Sequence, residues 1–164
     1  MAARFRKIDP RLWIDEGFRL LSNNEKLSAV YAITAQSNRI GIFHFSPARA
    51  AEDLSVSTET FSKGFSKVVD RLHWRWDSTA RVLYIPTWFK YNSPENPNVL
   101  KACLGDLHEV PQTGLIAEFS ANLRYLPETF HQTFTETFAE GWAKPCPNQE
   151  QEQEQEQKRY TNVL

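Results

Sequence analysis

A chain of 164 residues, 41% hydrophobic and 13% aromatic, can bury a core of ordinary size, which excludes disorder throughout. The formal net charge of −1 conceals an uneven distribution. Residues 1–92 hold 14 Lys/Arg against 9 Asp/Glu, an excess of +5, and residues 93–164 hold 5 against 11, an excess of −6. A basic first part followed by an acidic last part suits an anionic partner for the first part only.

Cys103 and Cys146 stand far apart in unrelated contexts and read as reduced thiols rather than a structural disulfide. No apolar run approaches the roughly 20 residues that a membrane helix requires. The opening MAARFRKIDP is basic but lacks an apolar signal core, so no targeting segment is read and a cytoplasmic location is expected.

In chain order, DPRLW offers Asp9 as a cap and Pro10 as a first helical residue, a short turn of helix. SNNEKLSAVYAITAQ is the first long helix: Ser22 and Glu25 form a capping box, and Leu27, Val30, Tyr31 and Thr34 recur at helical spacing. NRIGIFHF, with β-branched and aromatic residues around Gly41, predicts a short strand. SPARAAEDL is a second, short helix capped by Ser46 with Pro47 at its first position.

After SVS, TETFSKGFSKVVDRL predicts a third helix capped by Ser57, with Glu59 in its first turn where the dipole favours a carboxylate. Phe61, Phe65, Val68, Val69 and Leu72 share one face; Glu59, Thr60, Lys63, Ser66, Lys67 and Asp70 share the other. Gly64, on the flank of the apolar stripe, is expected to allow close packing against the preceding helix. WRW and RVLYI are two strands joined by DSTA, with Pro86 ending the second. Trp74 and Trp76 fall on one face of their strand, which points to burial against the third helix rather than to base stacking.

The order helix, strand, helix, helix, strand, strand predicts an α+β fold: a winged helix-turn-helix with additional C-terminal helices and a disordered tail. The boundaries expected are residues 1–92 for the winged helix, 93–146 for a helical extension and 147–164 for the tail. TWFKYNSPENPNVLK is dense in proline and asparagine and reads as a loop. NVLKACLGDLHEV predicts a helix with Val99, Leu100, Cys103, Leu104 and Leu107 inward, and LIAEFSANLRYL resumes helical periodicity. Leu126, Phe130, Phe134, Phe138 and Trp142 then recur at every fourth residue, either as packing surface or, from Phe130 onward, as a stripe that docks on a partner. QEQEQEQEQ, residues 149–157, holds nothing to bury; it is expected to be a solubilising segment, or one that competes with DNA for the basic part.

No catalytic constellation assembles. His44, His73, His108 and His131 show no metal-ligand spacing, and neither a phosphate-binding P-loop nor a G-x-S-x-G elbow is present, so no enzyme, metal or cofactor is expected. Duplex DNA is the partner that the pattern favours. A third helix lying in the major groove presents its early residues to base edges, which selects Ser57, Thr58, Thr60, Lys63 and Lys67. Arg75 and Arg81 on the wing strands, Ser78 and Thr79 at the wing tip, Lys90, and the basic arm of Arg4, Arg6, Lys7 and Arg11 are candidates for backbone contact.

ARFRKIDPRLWIDEGFRLLS, GIFHF and above all YIPTWFKYNSPENPNVLK resemble phage and prophage replication proteins of the replisome-organiser type, over about residues 3–110. The resemblance implies an N-terminal winged helix that binds origin DNA, and its WxKYN-type block falls on Trp88, Lys90, Tyr91 and Asn92. Members of that group carry a Gln/Glu-repeat linker ahead of a region that engages the replicative helicase or its loader; here KRYTNVL follows the repeat at once, which argues against helicase loading. The alternatives are a transcriptional regulator and a module that binds a host replication or defence protein through the Phe130, Phe134, Phe138 and Trp142 stripe.

Overall fold

The computed structural model describes residues 6–142, 59% helical with a small antiparallel sheet. Arg4 and the Gln/Glu repeat lie outside the described residues, as does the side chain of Trp142. The elements are a 3-10 turn (Pro10–Ile14), α1 (Glu16–Arg19), α2 (Asn23–Thr34), β1 (Ile42–His44), α3 (Pro47–Asp53), α4 (Thr58–Arg71), β2 (Arg75–Asp77), β3 (Val82–Tyr84), α5 (Trp88–Tyr91), α6 (Pro97–Leu104), a second 3-10 turn (Gly105–Glu109), α7 (Leu115–Ala121) and α8 (Glu128–Trp142).

Local chemistry accounts for where the helices start. The Ser22 hydroxyl accepts from the Glu25 amide while the Glu25 carboxylate accepts from the Ser22 amide, so both halves of the capping box form. Ser46, Ser57 and Asn96 each accept from the amide three residues on, and Pro47 and Pro97 occupy first positions where a missing amide is harmless. The proline-rich stretch expected as a plain loop therefore holds a short helix, α5, and then the start of α6. Val99, expected to point inward, is 37% exposed on the outer side of α6.

The three strands run in the order β1-β3-β2. Phe43 and Trp76 pair with Leu83, and Ile42 and Arg75 with Tyr84. Because side chains alternate across a strand, Phe43, Leu83 and Trp76 share one face, with Phe45 just beyond β1. That face meets α4: the Phe65 ring stacks on Phe45 at 5.0 Å and stands edge-on to Trp76 at 5.5 Å. Trp74 is buried as well, so both indoles pack inward as the strand alternation indicates.

The opposite face meets the C-terminal half. Tyr84 stands edge-on to Phe119 of α7, its hydroxyl accepts from Asn122, Asp77 accepts from Thr113, and Arg75 pairs with Glu118. All three residues of β3 are consequently buried. Arg39, ahead of β1, closes the same join by gripping Asp106 through its amide, Nε and Nη2 and donating to the Ala102 carbonyl.

The boundary expected after residue 92 does not divide the core. One apolar cluster runs from Phe18 through Phe43, Leu83 and Leu100 to Phe134. With α4 on one face of the sheet, residues 93–142 serve as its second layer on the other. The aromatic stripe of α8 belongs to this layer. Phe134 is 1% exposed, its ring lies 5.5 Å from Phe119 and stacks on Phe138, and Phe130 and Phe138 are half-buried against the same cluster. Of the stripe expected to dock on a partner, Phe134 is therefore interior and contributes to the core, while Phe130 and Phe138 pack against its edge and keep part of their surface exposed.

Candidate nucleic-acid interface

Helix α4 has the two faces that its sequence indicates. Phe61, Phe65 and Val68 are buried, whereas Thr58, Glu59, Thr60, Ser62, Lys63, Ser66, Lys67 and Asp70 are exposed along its full length. The turn between α3 and α4 is tight, with Ser55 in the left-handed region at φ 56°. Val56 at this turn donates its amide back to Ala51, which fixes the angle at which α4 leaves.

Within the exposed face the candidates divide by what they already hold. The Ser57 hydroxyl accepts from the Thr60 amide at 3.1 Å and donates to the Thr60 hydroxyl at 2.8 Å, so Ser57 is occupied as a cap. Thr58 stands exposed beside it. Lys63 pairs with Glu59 one turn back at 2.8 Å, with both side chains at least three-quarters exposed. Lys67 reaches the Glu25 carboxylate of α2 at 3.3 Å. An exposed pair such as Lys63–Glu59 is worth about 0–1 kcal/mol, so the Lys63 ammonium can exchange its carboxylate for a phosphate, whereas the Glu25 partner of Lys67 is only 13% exposed.

Glu25 acquires a partner in Lys67 that sequence reasoning passes over. Its capping role is visible as S-x-x-E, but its second oxygen is the one that reaches Lys67, and that needs the packing of α2 on α4. The Ser22 backbone hydrogen bond first, and then the Lys67 contact, hold its carboxyl below the usual range.

Gly64 does not serve the close approach expected of it. A methyl group placed there would meet only the Glu25 Cγ, at 3.7 Å, an ordinary contact. Gly64→Ala should therefore stabilise the fold by roughly 0.5–1 kcal/mol through backbone entropy. A thermal melt checks this; a lowered midpoint would show that α2 and α4 need the gap.

The β2–β3 hairpin places Ser78 and Thr79 at an exposed tip. The Asp77 carboxylate accepts from the Thr113 hydroxyl at 2.6 Å and from the amides of Thr79 and Ala80, which lowers its pKa and fixes the turn. Arg81 is not on a strand as expected. It closes the turn at φ 53° with its side chain exposed, because β3 begins only at Val82. Arg75 is on β2 as expected, but its Nε is bound to Glu118 of α7 at 3.1 Å.

Among the described residues of the basic arm, Arg6 and Arg11 are engaged by acceptors of the chain itself, while Lys7 is exposed. The Arg6 Nη2 donates to the Gln36 carbonyl, and Arg11 holds Asp9 at 2.8 Å, keeping that carboxyl down at about 2. The Arg11 guanidinium and the Lys90 ammonium each sit 5.0 Å from the Tyr91 ring centroid. Lys7, Lys90 and Arg75 line one open cleft of about 820 Å³, together with Arg71 and Arg124 that the sequence does not single out. Asp9, Asp15, Glu16 and Asp70 line it too, so the cleft presents no net field of one sign.

Among the described residues no cluster of His, Cys, Asp and Glu could hold a metal, and no helix is long and apolar enough to cross a membrane. Cys103 is buried and its thiol is pushed up by burial.

No family model matches the sequence, and no curated protein and no solved structure matches it.

Proposed function

We propose that this chain binds double-stranded DNA as a winged helix, with α4 in the major groove and the β2–β3 hairpin as the wing beside it. The observation that supports this most is the open flank of α4. Its apolar side is locked into the core by Phe61, Phe65 and Val68, while Thr58, Thr60 and Lys63 on the other side are exposed, and Lys67 beside them is exposed but reaches Glu25 of α2. The exposed side of α4 and the adjoining hairpin tip have the form of a groove reader and its wing.

Lys63 and Lys67, one turn apart, are assigned to phosphate or guanine acceptors, and Thr58 to base edges. Ser78, Thr79 and Arg81 at the tip are assigned to the neighbouring backbone. A role in phage replication initiation, at an origin and alongside a helicase or helicase loader, rests on the resemblance of the YIPTWFKYNSPENPNVLK block. A promoter rather than an origin as the bound site would make the protein a transcriptional regulator. Burial of Phe134 weighs against the reading as a host-protein docking module through α8.

An electrophoretic shift with mixed-sequence duplex at low salt tests the proposal. Binding is expected to weaken linearly with log salt, and Lys63→Glu with Lys67→Glu should cost at least about tenfold in affinity and flatten the slope by about 2. Absence of any shift by the folded wild-type chain at low salt would overturn it.

A further inference from the structure

We propose that Glu59 is a specificity-determining residue of α4, reading a cytosine amino group in the major groove. The inference deepens the duplex-binding reading above and rests on it. Glu59 is the second residue of α4, its side chain is 79% exposed, and it is the sole carboxylate within residues 58–65. It lies on the same outward flank as Thr60 and Lys63, with its Oε1 2.8 Å from the Lys63 ammonium.

A carboxylate on the leading turn of a groove-facing helix is repelled by both phosphate chains. The helix dipole and Lys63 offset part of that repulsion, and the donors that base edges in the major groove offer it are two: the cytosine N4 and adenine N6 amino groups. Adenine also presents its N7 acceptor beside that amino group, which opposes the second carboxylate oxygen. Cytosine presents the amino group alone, so cytosine fits better. Lys63 partly neutralises Glu59 in the unbound protein and then has the guanine O6 and N7 acceptors within the same groove.

A purely structural Glu59 would contribute only a helix-dipole interaction and an exposed ion pair, neither of which depends on DNA sequence. The two roles therefore separate in a sequence readout. Duplexes selected from a random library by the full chain are expected to show a cytosine preference of about tenfold or more at one position. Glu59→Gln, whose amide both donates and accepts, should move that position towards adenine, and Glu59→Ala should leave it unspecified while the remaining positions persist. Thermal melts verify that both variants are folded. An unchanged selected sequence in both variants overturns the role of Glu59 and leaves duplex binding standing, whereas failure of the wild-type chain to enrich any duplex overturns the binding reading itself.

Discussion

Phe134→Ala is expected to lower stability by about 3–5 kcal/mol, the range for removing a buried aromatic ring. In a chain of this length that corresponds to a fall of roughly 10 °C in thermal midpoint. Phe134 is 1% exposed and touches Phe119 and Phe138, and Phe119 in turn stands against Tyr84 of the central strand. The ring therefore connects α8 to the sheet through one intermediate, and a cavity there loosens the layer that covers the second face of β3. Calorimetry or a denaturant melt measures the effect. A change within about 0.5 kcal/mol is what an exposed docking residue would give, and it would restore α8 as an interaction surface.

Gly41→Ala should be equally damaging for a different reason. Gly41 sits at φ 77°, where any side chain adds about 1–2 kcal/mol of steric strain. Its added methyl would lie 2.4 Å from both Cβ and Cγ of Trp88. Trp88 cannot retreat: it is buried, and its indole Nε1 donates to the Arg39 carbonyl at 2.8 Å across the same chain segment. The backbone of Gly41 is committed as well, since its carbonyl accepts from the Ile85 amide just after β3. Together with the cost of overpacking, a loss of roughly 3–5 kcal/mol is expected, shown as a large drop in midpoint or a failure to fold. Gly105→Ala is the contrast. Its methyl would meet nothing within 4 Å at φ −56°, and its midpoint should stay within a few degrees of the parent. A Gly41→Ala protein that melts like Gly105→Ala would mean that Trp88 is not held where the hydrogen bond to Arg39 puts it.

The same segment illustrates what the sequence does and does not reveal. NRIGIFHF reads as a strand around a glycine, and an isolated glycine in such a pattern points to a close backbone approach. The identity of the approaching group, Trp88 of the WFKYN segment, lies 47 positions further along the chain and emerges only when β1 pairs with β3. Lys63 and Lys67 behave similarly. Their outward direction follows from the helical period, since Phe61, Phe65 and Val68 claim the other side. Their carboxylate partners have different origins: Glu59 is four residues away and predictable from spacing, whereas Glu25 arrives from another helix.

By itself the sequence determined the local features: the caps at Ser22, Ser46 and Ser57, the two faces of α4, the strand alternation that turns Trp74 and Trp76 inward, and the order of elements from α2 to β3. Each depends on residues within about one or two turns of one another, where backbone geometry is strong enough to decide. Only the tertiary structure decided that residues 93–142 complete the core rather than extend from it, that Phe134 of α8 is interior, and that Arg75, Arg6 and Arg11 are engaged by the protein's own acceptors. A periodic apolar stripe or a surface cation looks the same along the chain whether its partner is water, another molecule or a distant element. The sheet, left bare on the face opposite α4, selected the last of these.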